Sequence, residues 1–261
     1  MKTAIIIPTF NTKDLTLQTC VSVRQYSTTD YRLLVVDNGS TDGTAGVVMS
    51  EFLSESVVLR LDENTGFAGA CNAGAKACPE AEVLIFLNSD VLLTPGWDSR
   101  LCDPLMLLNQ TVHDGPQREC MGATGPTSNF VAGKQRVRPD LQPQQLLQQH
   151  EAMVAEHGTR TWDADILIGF CLAVRRDCWA DVGGFDERFK EGNSDDIDWC
   201  YRAKKKGWRL AIVPSVYIYH FGGATFQANG MNYGEILKRN RRQLNEKWGT
   251  AMETDWYAGT I

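Results

Sequence analysis

Four polar clusters carry the side chains best suited to chemistry. Asp37-Asn38-Gly39-Ser40-Thr41-Asp42-Gly43 and Asn88-Ser89-Asp90 each follow an apolar run, Asp195-Asp196-Ile197-Asp198 crowds carboxylates together, and His220 ends a further apolar stretch. An Asp placed like Asp37 can accept the imide N–H of a uracil or thymine base, and the same residues equally make a plain Asx-turn between strand and helix. Asp90 presents the hard oxygen that Mg²⁺ or Mn²⁺ takes while bridging substrate phosphates. His220 is a candidate second ligand, although a lone histidine more often serves structure. Asp195 and Asp196 open a helix, where the macrodipole favours carboxylates, and Asp198 lies four residues before Arg202, so the two pair on one face. Capping explains Asp198. The other acids exceed what a cap needs, and a carboxylate facing a cleft can take the proton of an acceptor hydroxyl as general base.

A fifth segment, Asn64-Thr65-Gly66-Phe67-Ala68-Gly69-Ala70-Cys71-Asn72-Ala73-Gly74, is glycine-rich and opens a helix, which permits close backbone approach to a ligand. It lacks the G-x-G-x-x-G spacing and the acidic ribose partner of a dinucleotide site. The chain also lacks G-x-x-x-x-G-K-[ST], which excludes a P-loop.

The elements that must position these clusters follow from hydrophobic patterning. Thr3 to Ile7, Arg32 to Val36 and Val83 to Leu87 are short β-branched or apolar runs, each ending in a polar cluster, and predict buried strands. Asp14 to Tyr26, Gly43 to Phe52 and Gly66 to Ala77 predict helices between them. Strand, helix, strand implies a parallel sheet with helices on its faces, whose ligands sit beyond the C-terminal strand ends where the clusters fall. From Pro126 to Arg160 the Gln-rich, loop-like composition predicts a mobile loop and then a surface helix, with Arg136 and Arg138 as candidate acceptor contacts. Beyond it, Ile166 to Val174 predicts a strand, Asp195 to Lys206 a helix, Leu210 to Tyr219 a strand and Tyr233 to Trp248 a helix. The basic run Lys238-Arg239-Asn240-Arg241-Arg242 on that last helix is expected to be a solvated face.

Composition limits the partners. With 261 residues, 43% hydrophobic and 22% charged, the chain suits one large globular domain with a substantial core. A net charge of -6 argues against a nucleic-acid backbone as partner, because phosphate neutralisation needs clustered cations. An acidic protein that binds a diphosphate is expected to recruit a cation. Ala4-Ile5-Ile6-Ile7 is halted by Pro8 and has no small-residue cleavage site, and no run approaches the ~20 residues of a transmembrane span. The eight cysteines never form C-x-x-C, which removes the common zinc and redox motifs and leaves reduced, buried thiols as the expectation.

Taken in order, the motifs resemble glycosyltransferase family 2, the inverting family with the GT-A fold, in its branch of bacterial rhamnosyltransferases. The matching pieces are Ile5-Ile6-Ile7-Pro8-Thr9-Phe10-Asn11, Val35-Val36-Asp37 through Gly43, Asn64 through Gly69 with Asn72, and Phe86-Leu87-Asn88-Ser89-Asp90. Further on come Gly183 through Phe189, Asp195 through Arg202, and Val213-Pro214 followed by His220. The resemblance runs from the first strand to about Gly223. It implies an α/β GT-A fold, Rossmann-like, with a mostly parallel central sheet and helices on both faces. It implies one domain over 1–261, with a nucleotide-sugar half at 1–115, an acceptor-binding and catalytic half at 116–225 and a helical tail at 226–261. Pro8, Thr9, Asn11, Asp37, Asn38, Ser40, Asn64, Gly69, Asn72, Asn88, Ser89 and Asp90 are then expected to hold the nucleotide sugar. Asp90 and His220 would bind a divalent cation, Mn²⁺ or Mg²⁺, and Asp196 would be the base, with Asp195 second. The chain departs from the family pattern with Asn88 where Asp-x-Asp has its first acid and with Ser194-Asp195-Asp196 where Glu-Asp is usual.

The expected reaction is inverting transfer of a sugar from a UDP- or dTDP-donor, dTDP-rhamnose among them, to a hydroxyl of a glycan, lipid-linked or protein-linked acceptor. The expected setting is the cytoplasm or the inner membrane face. A catalytically silent nucleotide-sugar-binding scaffold of the same fold is the competing reading, and a sugar nucleotidyltransferase would require a basic Gly-rich loop where Pro8-Thr9-Phe10-Asn11 stands.

Overall fold

The computed structural model describes residues 2–52, 56–107 and 120–249. The first third alternates strands β1 (Lys2–Thr9), β2 (Asp30–Asp37), β3 (Ser56–Arg60) and β4 (Val83–Leu87) with helices α1 (Lys13–Tyr26), α2 (Thr44–Glu51) and α3 (Gly66–Ala77). The three expected strands and helices all form. β3 was not anticipated from the sequence, because it is a five-residue edge strand whose apolar run, Val57-Val58-Leu59, is only three residues long. After β4 come β5 (Val91–Leu92), α4 (Trp97–Leu107), β6 (Met121–Ser128), α5 (Leu146–His157), β7 (Trp162–Ala164), β8 (Cys171–Arg175) and α6 (Arg176–Val182). The chain continues through α7 (Asp195–Lys205), β9 (Arg209–His220), α8 (Ala224–Ala228) and α9 (Tyr233–Trp248).

The strands join one nine-stranded sheet in the order β3-β2-β1-β4-β8-β6-β9-β5, with β7 added on β9. β3, β2, β1 and β4 pair in parallel. β8 runs against β4 and β6, so β6 and its parallel neighbour β9 regain the direction of β1. The central sheet is therefore mostly parallel, interrupted by β8 and by the short β5 and β7.

Successive side chains leave a strand on opposite faces, and each face here has its own core. Ile5, Ile7, Leu33, Val35 and Ile85 meet Val23 of α1, Val48 of α2 and Trp97 and Leu101 of α4. Ala4, Ile6, Leu34, Val36 and Phe86 meet Cys71 of α3, Trp179 of α6 and Trp199 of α7. Each such Ile, Leu or Phe contributes about 1.5–3 kcal/mol by leaving water, so the strand edges that carry the polar clusters rest on a rigid base. All eight cysteines are unpaired, and seven of them are buried.

Two expectations need correction. Pro126 to Ser128 do not begin a mobile loop but finish β6, a fully buried strand between β8 and β9. Glycines and a proline hid it from propensity, yet the glycines are required there: a Cβ on Gly122 would lie 2.7 Å from Cys178 Sγ and 3.1 Å from Trp208 Cβ. The strand expected at Ile166 starts only at Cys171, because the backbone of Gly169 and Phe170 is bonded to side chain and loop groups instead of a ladder. The helix expected after the loop is α5. It buries Leu146, His150 and Met153, and Leu146 and Met153 pack against Tyr217 of β9. The expected boundary at 115/116 and the tail beyond 249 lie outside the described residues.

Gly122→Val is expected to lower the urea midpoint by an amount corresponding to about 1–3 kcal/mol, with the m value unchanged, because an overpacked core strains without altering the surface exposed on unfolding. Equilibrium urea unfolding followed by circular dichroism reads it.

Candidate active site

The C-terminal ends of β1, β2 and β4 open together onto a cleft. Pro8, Thr9, Asn38, Asn64, Asn88, Ser89 and Asp90 wall it, as the sequence led one to expect. Several of these side chains are also tied to one another. Thr9 Oγ1 lies 2.6 Å from Thr16 Oγ1 and 3.0 Å from Thr12 Oγ1, and Thr12 reaches Ser89 Oγ at 3.2 Å, a buried hydroxyl chain that locks β1 to β4. Asn38 Nδ2 donates to Asn64 Oδ1 at 2.8 Å and to Gly66 O at 3.0 Å, while its Oδ1 accepts from Thr65 N at 2.9 Å. This clamp fixes the glycine-rich loop against the end of β2.

Asp37 is wholly buried at the same edge. Its Oδ1 accepts from Ser40 N at 3.0 Å, whereas Oδ2 has no hydrogen-bond partner and meets only the Arg60 guanidinium at 3.5 Å. Asn11, in the left-handed region at φ 51°, accepts from Thr41 N at 2.8 Å and donates from its backbone to Ser40 Oγ at 3.0 Å. Asn11 thus ties the loop after β1 to the turn of Asp37 and Ser40 after β2. Gly69 and Asn72 do not join them. Gly69 lies inside α3, where a Cβ would fall 2.7 Å from Thr65 Oγ1, and Asn72 exchanges bonds with Phe185 N and O at 2.9 Å. Gly69 leaves room for the Thr65 side chain at the start of α3, and Asn72 ties α3 to the backbone of Phe185.

Asp90 and His220 do meet. His220 Nε2 is 3.2 Å from Asp90 Oδ1 and 3.2 Å from Asn88 Nδ2. Its Nδ1 is 2.8 Å from the Phe130 carbonyl, which can only accept, so Nδ1 carries a proton and Nε2 is the nitrogen that faces Asp90. Phe170 stacks on the ring at 5.2 Å, and Asn129 exchanges bonds with the His220 backbone at 2.8 and 3.0 Å. Burial alone would raise the Asp90 carboxyl, but the His220 charge and hydrogen bond, with the Ala224 N–H, hold it below the usual range. Burial likewise lowers His220, and Asp90 more than reverses that, so the imidazole is raised. Two electron-rich atoms converging on one point need a proton or a cation between them. One carboxylate oxygen and one imidazole nitrogen with its other nitrogen anchored make a mixed oxygen–nitrogen donor pair that a divalent cation can take. Among the described residues no group of three or more His, Cys, Asp or Glu converges, so most ligands of such an ion would come from water and diphosphate.

The acidic cluster at α7 is sorted by its partners. Asp198 accepts from Arg202 Nε at 2.9 Å and from Trp248 Nε1 at 2.8 Å, so it is structural as expected. Asp196 Oδ2 accepts from Gly169 N at 2.8 Å, and Oδ1 from Ile197 N at 2.8 Å. Asp195 is more deeply buried, at 2% against 7% exposure, and its Oδ2 has no partner. Burial raises both carboxyls; Asp195 is raised well above the ordinary range because the neighbouring Asp196 charge adds to burial. The pair therefore retains a proton, with Asp196 the first to ionise. Tyr233 of α9 stands close by, its phenol pushed up by burial and then by the Asp196 charge.

The residues just before α7 adopt conformations that L side chains rarely take: Lys190 at φ 39°, Asn193 at 68° and Ser194 at 80°, with Gly192 at 99°. Each non-glycine residue so held costs about 1–3 kcal/mol, which the surroundings must offset. Sequence reasoning missed much of the far wall of the cleft, formed by Glu191, Gly223 to Phe226 and Met231. The adjacent Gly222 and Gly223, both left-handed at φ 73° and 70°, were the available signal for a sharp turn after His220. The basic run on α9 is also less solvated than expected, since Arg239 pairs with Glu191.

A parallel α/β sheet with helices on both faces, acids at its carboxyl edge and an Asp–His pair beside the cleft defines the GT-A class of fold. Superposition agrees: the crystal structure of GalNAc-T7 with UDP, GalNAc and Mn²⁺ matches at a TM-score of 0.66 with 15% identity, over 100% of this chain and 53% of that one. The chain belongs to the family described as Glycosyl transferase family 2, whose model matches residues 4–178. It is 31% identical over 196 residues to a pre-mycofactocin glycosyltransferase of Mycobacterium tuberculosis, covering 72% of this chain and 37% of the relative. It is 28% identical to an N-acetylglucosaminyl-diphospho-decaprenol L-rhamnosyltransferase of the same organism, over 72% of this chain and 66% of the relative. The chain thus spans little more than a third of the first of these relatives and about two thirds of the second.

Because the folded state raises the Asp195 pKa, folding binds a proton there, and stability falls as pH rises from the unfolded value toward the folded one. Asp195→Asn removes that loss. Its Tm is expected to exceed the wild-type value at neutral pH, by roughly 2–4 °C per kcal/mol recovered, and the gain should vanish in acid below the ordinary carboxylate range. Calorimetric scans across pH measure both.

Proposed function

We propose that the chain is the catalytic domain of an inverting glycosyltransferase that moves a sugar from a UDP- or dTDP-linked donor to an acceptor hydroxyl, with Asp196 as base. One observation carries this reading. The loop from Ile168 to Phe170 touches both centres: Gly169 N donates to Asp196, while Phe170 stacks on His220 and its carbonyl accepts from Asn88 N at 2.8 Å. The base carboxylate and the Asp90–His220 pair are thereby held in fixed relation, as a one-step displacement between acceptor and leaving diphosphate requires.

In the reaction, Asp196 takes the acceptor O–H proton as the acceptor oxygen bonds to the anomeric carbon, and the bond from that carbon to the diphosphate oxygen breaks on the opposite face. Configuration inverts and a nucleoside diphosphate leaves. Asp90 and His220 would hold a divalent cation, Mn²⁺ or Mg²⁺, which would supply positive charge for the departing diphosphate. Asp195, kept neutral by burial, limits repulsion beside Asp196. Asp37, with Asn11 and Ser40, receives the base, and Pro8, Thr9, Asn38, Asn64, Asn88 and Ser89 line the donor path.

Similarity to the rhamnosyltransferase supports a deoxyhexose such as rhamnose as the sugar and a glycan, lipid-linked or protein-linked hydroxyl as the acceptor. Action in the cytoplasm, at the inner membrane face for a lipid-linked acceptor, accompanies this reading. No helix among the described residues is long and apolar enough to cross a membrane. Acceptor contact falls to the segment from Asn129 to Arg160.

Calorimetric titration of UDP, dTDP and GDP, each with Mn²⁺, Mg²⁺ or EDTA, tests the donor site. Metal-dependent binding of one pyrimidine diphosphate is expected, lost in Asp90→Ala; binding of none counts against the enzyme reading. Asp196→Asn should cut kcat by about 10²–10⁴-fold with diphosphate affinity nearly intact, whereas a matching loss of affinity counts against its role as base. Release of pyrophosphate in place of nucleoside diphosphate would mark a nucleotidyltransferase.

A further inference from the structure

The loop that presents Asp196 is strained; Phe67 N of α3 bonds Lys190 O at 2.9 Å, and its remaining restraint includes α9, outside residues 4–178 that match the family. Asn240 is wholly buried on that helix. Its Nδ2 lies 2.7 Å from Phe189 O, 2.7 Å from Gly192 O and 3.2 Å from Asn193 O. Its Oδ1 accepts from Arg239 Nε at 3.0 Å. The amide orientation is therefore determined: a guanidinium can only donate, so Oδ1 faces it and the two Nδ2 protons face the loop carbonyls. The same guanidinium pairs with Glu191, and Leu244, one turn further along α9, packs with Phe189 and Ile197. The side-chain bonds of Asn240 thus fall on the loop between Phe189 and Asn193 and on the arginine that grips it.

Phe189 O also accepts from Gly192 N at 3.1 Å, but Gly192 O and Asn193 O face the Asn240 amide, and without its donors this inward-turned backbone would relax toward ordinary angles. Ser194 and Asp195 follow directly, so relaxation would rotate the first turn of α7 and withdraw Asp196 from Gly169.

We propose that Asn240 is a positioning residue for the transfer reaction, setting through the loop from Phe189 to Ser194 where the Asp196 carboxylate stands, so that the C-terminal helix belongs to the catalytic apparatus. The inference rests on Asp196 acting as the base. Asn240 itself touches neither substrate nor the reacting atoms.

The test uses the full chain carrying Asn240→Ala or Asn240→Ser, the second retaining one donor. Nucleoside diphosphate affinity, kcat and amide hydrogen exchange over residues 189–198 are measured for each. Asn240→Ala should keep the affinity within about two-fold of wild type while kcat falls by about 10²-fold, the scale of an ångström's misplacement of a reacting group. Exchange should quicken in 189–198 and stay unchanged in β1, β2 and β4, with Asn240→Ser between wild type and Ala in both readouts. Wild-type kcat with only a lower Tm, or unaltered exchange in the loop, overturns the proposal. Should Asn240→Ala fail to fold, Asn240→Ser decides by the same criteria. Asp196→Asn run alongside separates the two failures: turnover retained there removes the base assignment, while an inactive Asp196→Asn beside a fully active Asn240 variant removes only the present inference.

Discussion

Carboxylates taken out of water at the edge of a sheet must be met by fixed donors or give up their charge, and the arrangement of this protein turns on how each buried acid is met. Asp90 is met by an imidazole and a backbone N–H and stays ionised. Asp37 receives one backbone N–H and faces an exposed guanidinium. Asp198 is saturated by Arg202 and Trp248. Asp196 receives backbone N–H groups only, and Asp195 leaves an oxygen without a partner. Among these acids the oxygens left without a hydrogen bond are Asp37 Oδ2 and Asp195 Oδ2, while Asp198 is met by a charged guanidinium and Asp90 and Asp196 by an imidazole and backbone N–H groups.

Such incomplete bonding has a structural cost, and the fold offsets it locally. Two hydrophobic cores, one on each sheet face, fix the strand ends, while loops anchored by side-chain amides carry the unusual backbone. Asn38, Asn72, Asn129 and Asn240 each bond a loop on a neighbouring element. An amide offers donor and acceptor together and no charge, so it can satisfy inward-facing backbone without adding to the field of the nearby acids. The loop at Gly169 and Phe170 extends this arrangement across the site, which explains why it forgoes strand pairing next to β8.

The alternation of apolar runs and helices in the first third was legible because local periodicity alone specifies a βαβ pattern, and every polar cluster fell at a strand end as that pattern demands. β6 was not legible. Its glycines and proline have low strand propensity, and only the close approach of Cys178 and Trp208 shows why small residues stand there. The candidate site separated in the same way: Asp90 and His220 were both visible as residue types, but their meeting depends on β5 pairing with β9 far along the chain. Gly69 and Asn72 resembled ligand contacts because a glycine-rich helix start looks the same whether it approaches a phosphate or another loop.

By itself the sequence determined the residue chemistry, the parallel frame of β1, β2 and β4 and the crowding of carboxylates from Asp195 to Asp198, since these depend on neighbours within a few residues. Tertiary structure alone decided which acid keeps a proton, which histidine nitrogen faces Asp90, and that Asn240 reaches the loop before α7. Desolvation and hydrogen bonding are set by groups distant in sequence that packing brings within three ångströms or so, and no local pattern encodes that proximity.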